Sequence, residues 1–322
     1  MNVDELLACP SCHGSPLTKS DIGYACDSCE ASFPLNEDIP VMFRPQTTVL
    51  AEEADRAEFW NAGWEKRNSQ LLALDQDGIL KERLEYQDYL TKSGYPSVVA
   101  IDPEDVVGKT FLNIGCGGGY EGLLFAGYGT RYIGLDFTHN AAKYTRLFVD
   151  KAGFEGTTFQ AEAEALPFKD ESIDYIYSSG VLHHTPNTED TLKEVYRVLK
   201  PCGTTMIGLY ATNSVMFKWY RLHAIMRGNL TKRAIDDWMN TNTEGDWQTG
   251  DSKNHWTKTF TKPEFTAMMQ RAGFGQVDMV QCPLQLKIVP IIGKIVTAVL
   301  PEAVGDLRVG PLGGMLVATC KK

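Results

Sequence analysis

Short apolar runs alternate with stretches of helical spacing along the last two thirds of the chain. The first run, residues 110–115, ends in the glycine-rich turn 115–119, and residues 120–125 then have the spacing of a helix that packs on a sheet. Further apolar runs predict strands at residues 131–135, 157–160, 173–178, 204–210 and 277–281. This alternation predicts a parallel, doubly wound α/β sheet, with ligands outside the carboxyl ends of its strands.

The glycine turn is a candidate ligand site. Because glycine has no Cβ and tolerates positive φ, backbone there can approach a bound molecule, and the following helix offers unpaired N–H groups. Asp136 ends the next strand about twenty positions later, where a carboxylate can accept both hydroxyls of a ribose. Together they predict a nucleotide-like cofactor. The spacing also fits a dinucleotide, and a turn without any ligand is the other alternative.

Four motifs in a fixed order carry a resemblance to a known family. They are the glycine turn, Asp136, the segment Ala-Glu-Ala-Glu-Ala-Leu-Pro-Phe at 161–168, and the strand and helix of residues 173–203. Over residues 105–212 the chain resembles the class I, seven-strand S-adenosylmethionine-dependent methyltransferases, particularly the branch with the ubiquinone and menaquinone C-methyltransferases. The resemblance implies a mostly parallel seven-stranded sheet, a last strand (315–320) that is antiparallel, and S-adenosylmethionine as cofactor.

The resemblance also implies the roles of the cofactor-binding residues. The turn glycines would approach the methionine part, Asp136 would hold the ribose, and Glu162 would reach the adenine amino group, with the Ala163 N–H beside the ring. Ser179 and Gly180 would line the sulfonium. The predicted set is Asn113, Gly115, Gly117, Gly119, Asp136, Phe137, Glu162, Ala163, Ser179 and Gly180.

Two residues depart from the family pattern. Asn113 stands where relatives have an acidic residue, so a contact that depends on that charge must be weaker or supplied elsewhere. Glu162 is one methylene longer than the usual aspartate. The glycines and Asp136 remain, so the predicted site remains.

Candidate acid–base residues follow the fourth strand and lie in the insertion after the fifth. His183 and His184 are near the expected position of a methyl acceptor, and imidazole titrates near neutrality. The alternative is that one histidine orients a loop and packs on the cofactor while the other caps the following helix, as the matching residues do in relatives that use no base. Glu244 and His255 are the second pair of candidates. Positioning in line contributes most to methyl transfer in either case.

Two Cys-x-x-Cys knuckles precede the sheet and are separated by thirteen residues. This spacing predicts a closed, structural zinc site with the ligands Cys9, Cys12, Cys26 and Cys29. The segment resembles the zinc ribbon of the small activator subunit of RNA and protein methyltransferases, and zinc knuckles also precede some ribosomal RNA methyltransferases. Residues 1–45 carry seven acidic and two basic residues, which favours a scaffold or dimer contact over RNA docking.

The chain divides into three regions. Residues 1–45 are the predicted zinc-ribbon module, residues 46–105 a linker and helical cap, and residues 106–322 the catalytic domain with insertions at about 211–260 and 284–311. Trp60 and Trp64 in the cap are candidates for the wall of the substrate pocket.

The insertions contain two apolar stretches. Residues 215–227 join bulky apolar side chains to cations, which fits a lid helix, an interfacial helix on lipid head groups, or an ordinary surface helix. The apolar segment 284–301 fits a cover over the substrate mouth, a homodimer face or a contact with a membrane surface.

Charge and composition narrow the classes of partner. The 322 residues carry a formal charge of −10, which opposes a long basic surface for nucleic acid. A basic, apolar leader and an uninterrupted apolar run of membrane length are both missing from the sequence, so we expect a cytoplasmic protein.

Three functions follow as hypotheses. The first is methyl transfer to a small-molecule or lipid-linked metabolite, favoured by the acidic balance and the large insertions. The second is an RNA (ribosomal or transfer RNA) methyltransferase, for which the zinc ribbon is the argument. The third is a non-catalytic, cofactor-binding regulator, for which Asn113 is the argument.

Overall fold

The structure is a computed structural model that describes residues 3–45, 51–69, 71–93, 101–244, 254–285 and 308–322. Its helices are α1 (Ala51–Asn68), α2 (Gln76–Ser93), α3 (Pro103–Val106), α4 (Tyr120–Gly127), α5 (His139–Lys151), α6 (Thr188–Val198), α7 (Val215–Met226), α8 (Lys232–Asn242) and α9 (Lys262–Ala272). Its strands are β1 (Thr18–Ser20), β2 (Gly23–Ala25), β3 (Ser32–Asn36), β4 (Ile39–Pro40), β5 (Thr110–Ile114), β6 (Arg131–Asp136), β7 (Gly156–Gln160), β8 (Ile173–Ser179), β9 (Leu199–Tyr210), β10 (Asp278–Gln281), β11 (Leu284–Gln285), β12 (Arg308–Val309) and β13 (Met315–Lys321).

Seven strands form the central sheet in the order β10-β13-β9-β8-β5-β6-β7. The five strands from β9 to β7 pair in parallel, and β13 is antiparallel to both of its neighbours. The predicted α/β fold with a mostly parallel, doubly wound seven-stranded sheet and an antiparallel last strand is therefore confirmed. The loops after β5, β6 and β8 leave from one edge of the sheet, where ligands of such folds bind.

Helices cover both faces of the sheet, which explains why β5 is apolar along its whole length. All five of its residues are buried. Phe111 packs with Tyr132 and Tyr177 on the face of α4, and Leu112 and Ile114 pack in the second cluster on the other face. Alternate side chains of one strand thus stabilise two separate apolar layers.

Residues 3–45 form a small four-stranded antiparallel sheet that packs against the edge of the large one. Leu7 forms an antiparallel bridge with Phe168, and Val41 forms a parallel bridge with Gln160 of β7. Side chains of this module, including Phe33, belong to the same buried cluster as the central strands. We call residues 3–45 the ribbon module.

The fifth predicted strand is longer than the apolar run indicates. It begins at Leu199 because Pro201, Cys202 and Gly203, which read as a turn in the sequence, continue the strand. The Cys202 N–H donates to the Lys322 carbonyl, and the Lys322 N–H donates to the Gly203 carbonyl, so Lys322 holds this segment in place.

The insertion after β9 contains α7 and α8, so the helix predicted at 215–227 is confirmed as Val215–Met226. Most of the predicted apolar segment 284–301 lies outside the described residues. Among the helices that the structure describes, each is too short or too polar to cross a membrane.

Candidate cofactor and active site

A cavity lies at the carboxyl ends of β5, β6 and β8. Backbone and side chains of Gly115, Asp136 and Gly180 form its floor, and Trp60 and Trp64 of α1 stand over it. The two indole rings are stacked with centroids 6.3 Å apart. The cap predicted from the sequence thus places both of its candidate tryptophans at this cavity.

The glycine turn has the backbone conformation that only glycine adopts easily. Gly115 and Gly117 have φ values of 75° and 51°. A Cβ at Gly115 would lie 2.2 Å from the side chain of Val181, and one at Gly117 would lie 2.7 Å from the ring of Trp64. These two glycines therefore leave room for neighbouring groups to approach the backbone. Gly119, with φ of 81°, begins α4.

Asp136 holds this turn from the neighbouring strand. One of its carboxylate oxygens accepts from the Gly117 N–H at 3.0 Å, and the other accepts from the N–H and hydroxyl of Thr138 at 2.9 and 2.8 Å. Burial raises the pKa of this carboxyl group, and the hydrogen bonds oppose the rise. A carboxylate has about four acceptor sites, so capacity for a ribose hydroxyl remains.

The rest of the predicted cofactor set divides between the cavity and its surroundings. Phe137 and Ala163 line the cavity. Glu162 is buried outside this cavity, where its carboxylate accepts from Arg44 at 3.1 Å, and Glu164 lines the cavity instead. Ser179 ends β8 and lies beside Gly208 of β9.

Asn113 does not reach the cavity. Its side chain lies on the face of the sheet that packs against α4, and its amide donates to the hydroxyl of Tyr132 at 3.2 Å. The residue is buried and serves the core. Its departure from the acidic family pattern therefore changes a structural contact in the sheet.

Of the histidine pair, His184 lies at the cavity wall and His183 lies behind it. Both belong to the short helical turn Leu182–His184. The His184 Nδ1–H donates to the Trp256 carbonyl at 2.7 Å, which leaves Nε2 as the acceptor nitrogen. That Nε2 lies 3.6 Å from a Glu244 oxygen. Burial lowers the pKa of His184 to about 4, so the ring is neutral at pH 7.

His183 is fully buried, and its ring contacts that of Tyr210 at a tilt of 31°, with centroids 3.7 Å apart. Burial holds its pKa well below the usual 6.5, and His184 and Lys258 add to the effect. Tyr210 donates its hydroxyl to Glu244 at 2.7 Å. The structure therefore joins His183, His184, Tyr210 and Glu244 in one cluster beside the cavity.

His255 is separate from this cluster. Its Nε2 lies 2.6 Å from the Asp55 carboxylate, and both side chains are partly exposed. The pair joins α1 to the segment before α9. This contact gives His255 a role in holding the cap, whereas Glu244, its partner in the sequence prediction, joins the histidine cluster.

Arg56 also lines the cavity, although the sequence did not predict it as a site residue. Its guanidinium donates to the His184 carbonyl at 3.1 Å and lies 3.9 Å from the centroid of Phe137. Burial lowers its pKa, and Glu164 opposes that shift. No local signal distinguishes this residue from the other charges of α1, because only the folded chain brings it into the cavity wall.

Thr138, Val181 and Thr185 also line the cavity and were not predicted. Thr138 and Val181 each directly follow a predicted site residue, Phe137 and Gly180. Their position next to a motif residue is the one sequence feature that could have identified them as site residues.

The four cysteines of the ribbon module converge as predicted. Their sulfur atoms all lie within 4.8 Å of one another, and the Cys9–Cys29 and Cys12–Cys26 separations are both 3.6 Å. Four thiolates about 2.3 Å from a tetrahedral zinc ion would be about 3.8 Å apart. The Ser11 and Gly14 N–H groups donate to two of the sulfurs. The donor set thus fits zinc.

Comparisons with known proteins agree with this architecture. Residues 112–207 match the family model described as a methyltransferase domain. The chain is 36% identical over 97 residues to the uncharacterized methyltransferase YcgJ of Bacillus subtilis, which is 30% of this chain and 38% of that protein. It therefore spans about two fifths of the length of this relative and of the similar mycobacterial methyltransferases.

Two further similarities extend beyond the central segment. The ubiquinone biosynthesis O-methyltransferase of Roseobacter denitrificans is 25% identical over 237 residues, which cover 74% of this chain and 87% of that protein. A chain from the complex between the Haloferax volcanii Trm112 methyltransferase activator and its methyltransferase superposes with a TM-score of 0.50 and 15% identity, covering 83% of this chain and 96% of that one. The structural similarity supports the fold alone.

Proposed function

We propose that this chain is a class I S-adenosylmethionine-dependent methyltransferase that acts on a small-molecule or lipid-linked acceptor. The observation that carries the proposal is the hydrogen bond from the Gly117 N–H to Asp136. It joins the glycine turn to the carboxylate that would bind the ribose, beside one cavity. The match of residues 112–207 to the methyltransferase domain family supports the same conclusion.

The walls of the cavity suit a sulfonium nucleoside. Asp136 would accept hydrogen bonds from the ribose hydroxyls, and the ring of Phe137 would pack against the adenine ring. Trp60 and Trp64 present aromatic rings to the cavity, and such rings attract cations. When bound, S-adenosylmethionine supplies the electrophilic methyl group; the chain has to position an acceptor in line with it.

His184 is our candidate for the residue that takes a proton from the acceptor. Its Nδ1–H is held by the Trp256 carbonyl, and Nε2, which finds no hydrogen-bond partner among the described residues, carries the free electron pair. Glu244 lies close enough to stabilise the imidazolium that would form. His183 lies behind the wall and would position the loop.

The ribbon module would bind one structural zinc ion. A closed set of four thiolates leaves no coordination position for a substrate, so the metal would stabilise the module and take no part in the reaction. The acidic ribbon also argues against a nucleic-acid acceptor, which needs a continuous basic track from ribbon to cavity.

Calorimetry tests the proposal directly. Titration of the zinc-loaded protein with S-adenosylmethionine and S-adenosylhomocysteine should show binding of one molecule per chain, and Asp136→Asn should weaken it about tenfold or more, as expected for a hydrogen bond to a charged group. No heat with either compound from the wild-type protein would exclude the proposal.

The acceptor can then be sought with a labelled methyl group. Wild-type protein and Asp136→Asn are incubated with a cell extract and methyl-labelled S-adenosylmethionine, and the aqueous and organic phases are counted separately. Label that depends on the wild-type protein identifies the acceptor class. Cofactor binding without transfer to the small-molecule, lipid or RNA fraction would favour the non-catalytic regulator.

A further inference from the structure

The outer face of α7 combines exposed apolar side chains with exposed cations. Leu222, Ile225, Met226 and Leu230 are 49%, 44%, 61% and 79% exposed. They are four of the eleven large apolar side chains that are exposed in the described part of the chain. Isolated apolar residues are common on surfaces, but four within nine residues form a patch that indicates an interaction site.

The geometry of the helix explains this clustering. Lys218, Leu222 and Ile225 recur at the i, i+4 and i+7 positions and so share one face of α7. Phe217 and Ala224 are buried on another side of the helix. The helix therefore presents apolar side chains to solvent as well as to the core.

The charges around the patch have one sign. Residues 211–235 contain Lys218, Arg221, Arg227, Lys232 and Arg233 and have no acidic residue, although the whole chain carries a charge of −10. Lys218, Arg227, Lys232 and Arg233 are exposed; the first acids follow in α8, where Asp237 lies 3.9 Å from Arg233. Cations beside exposed Leu, Ile and Met side chains are the pattern of a helix that lies in a membrane interface.

We propose that residues 215–233, here called the α7 surface, dock on an anionic lipid bilayer. The cations would contact the lipid phosphates, and Leu222, Ile225, Met226 and Leu230 would enter the boundary of the acyl chains. An RNA backbone would use the cations but leave the four apolar side chains without a partner. Charge complementarity together with apolar exposure therefore favours lipid.

Only the helix α7 itself separates the α7 surface from the histidine cluster beside the cavity. Phe217 on the inner face of α7 packs on Tyr210 with ring centroids 4.7 Å apart. Tyr210 in turn contacts His183 and Glu244. Docking would bring the side of the cavity next to the histidine cluster close to the membrane surface. A lipid-linked methyl acceptor would lie at that surface. This step of the inference rests on the proposed function.

Vesicle flotation tests the docking itself. Full-length, zinc-loaded protein is mixed with phosphatidylcholine vesicles or with vesicles that contain one third phosphatidylglycerol. We expect flotation with the anionic vesicles, weakened by high salt. The pair Lys232→Gln and Arg233→Gln should lower the partition coefficient about twenty-five-fold, at about fivefold for each cation. Leu222→Ser with Ile225→Ser should also lower it at least tenfold.

Matched variants on α2 provide the control. Leu84 is an exposed apolar residue at 58%, and Lys81 and Lys92 are exposed cations on the same helix. Leu84→Ser and the pair Lys81→Gln and Lys92→Gln should float as the wild type does. Equal flotation of all variants, or no flotation of the wild type, would overturn the proposal.

Two further outcomes would assign the surface to another partner. If the α7 variants lose binding to single-stranded RNA and the wild type ignores vesicles, the surface is a nucleic-acid site. If they abolish a concentration-dependent dimer in sedimentation, it is a homodimer face. Calorimetry with S-adenosylhomocysteine on the wild type and the same variants separates the two proposals. If the wild type does not bind the cofactor, the proposed enzymatic function is contradicted, whereas the flotation result still stands.

Discussion

Arg44 donates to Glu162 at 3.1 Å, and this ion pair joins the end of the ribbon module to the segment that follows β7. The preceding residue, Phe43, meets Phe137 edge to face with ring centroids 5.6 Å apart. The Met42 N–H donates to the Gln160 carbonyl. Of these three successive residues, Phe43 contacts a residue that lines the cavity, and Met42 and Arg44 contact the segment beside it. We therefore expect folding of the ribbon module and cofactor binding to be coupled.

Arg44→Ala tests this contact. The pair is half exposed on the Arg44 side, and such pairs contribute at most about 1 kcal/mol. We expect the dissociation constant of S-adenosylhomocysteine to rise about two- to fivefold, because Glu162 loses the partner that orients it. Calorimetry measures this change.

Glu37→Gln is the matched control for Arg44→Ala. It removes the ion pair with Lys143, which joins the ribbon module to α5 away from the cavity. Cofactor affinity should stay at the wild-type value. An equal loss in both variants would mean that any weakening of the ribbon contact lowers affinity, and that Arg44 has no special position.

Loss of the metal should affect both stability and cofactor binding. Cys26→Ser removes one thiolate, and the ribbon module contributes Leu7, Phe33 and Met42 to the buried core. We expect about one zinc per chain in the wild type, little in the variant, a melting temperature lower by several degrees, and weaker binding of S-adenosylhomocysteine. Metal analysis, thermal unfolding and calorimetry measure the three effects.

Cys202→Ser is the control, because Cys202 is an exposed cysteine outside the ribbon module. Reciprocity gives a further test: if zinc raises cofactor affinity, S-adenosylhomocysteine must raise zinc affinity by the same factor. The cofactor should therefore raise the chelator concentration at which half of the zinc is released. An unchanged concentration would contradict the coupling.

The pH dependence of stability should reveal the burial of His184. An ordinary histidine in the unfolded chain takes up a proton below about pH 6.5, whereas burial lowers the pKa of His184 to about 4. Between these values only the unfolded chain is protonated, so the free energy of unfolding falls as the pH falls. For His184 the full loss is about 3 kcal/mol, and it is complete near pH 4. Above pH 6.5 this contribution to stability is fully present.

Urea unfolding at pH 7 and pH 5 measures the effect by difference. Burial raises the pKa values of Asp136, Glu121 and Glu164, which acts in the opposite direction, so the wild type alone is not diagnostic. His184→Asn should lose less stability than the wild type between the two pH values. His223→Asn, on the solvent-facing insertion, should follow the wild type. Parallel behaviour of all three proteins would contradict a neutral, buried His184.

The fold was predictable from the sequence because strand periods and motifs are local. The strands of the central sheet agree within about two residues except β9, whose first five residues contain proline and glycine and depend on hydrogen bonds with Lys322. Glycine positions and Asp136 were also predictable, since a turn and a strand end are encoded nearby.

Side-chain direction was harder to predict. Asn113 and Ile114 are adjacent, but alternation along β5 sends Asn113 to Tyr132 in the core. His183 and His184 share one helical turn, and only packing decides which ring meets the cavity. Arg56 reaches the site through the docking of α1, which depends on contacts between distant segments. The position of a side chain that depends on tertiary contacts therefore cannot be predicted from local sequence patterns.

Gly117→Ala tests whether the turn must be free of side chains. Gly117 has φ of 51°, a conformation that costs an alanine about 1–2 kcal/mol, and the new Cβ would lie 2.7 Å from the Trp64 ring. We expect a loss of stability of about this size and at least a tenfold loss of affinity for S-adenosylhomocysteine. Gly108→Ala separates strain from crowding, because Gly108 has φ of 69° and, among the described residues apart from its chain neighbours, no atom lies within 4 Å of its Cβ position.

Gly108→Ala should therefore lose similar stability and bind S-adenosylhomocysteine as the wild type does. Adding Trp64→Ala to Gly117→Ala removes the crowding but leaves the strain. If the double variant regains affinity, the indole ring competes with the cofactor for the space above the turn, and the cap must open for binding. If affinity stays low, the new Cβ itself blocks the cofactor. Wild-type affinity in Gly117→Ala would contradict both readings, because it would mean that the cofactor does not approach the turn.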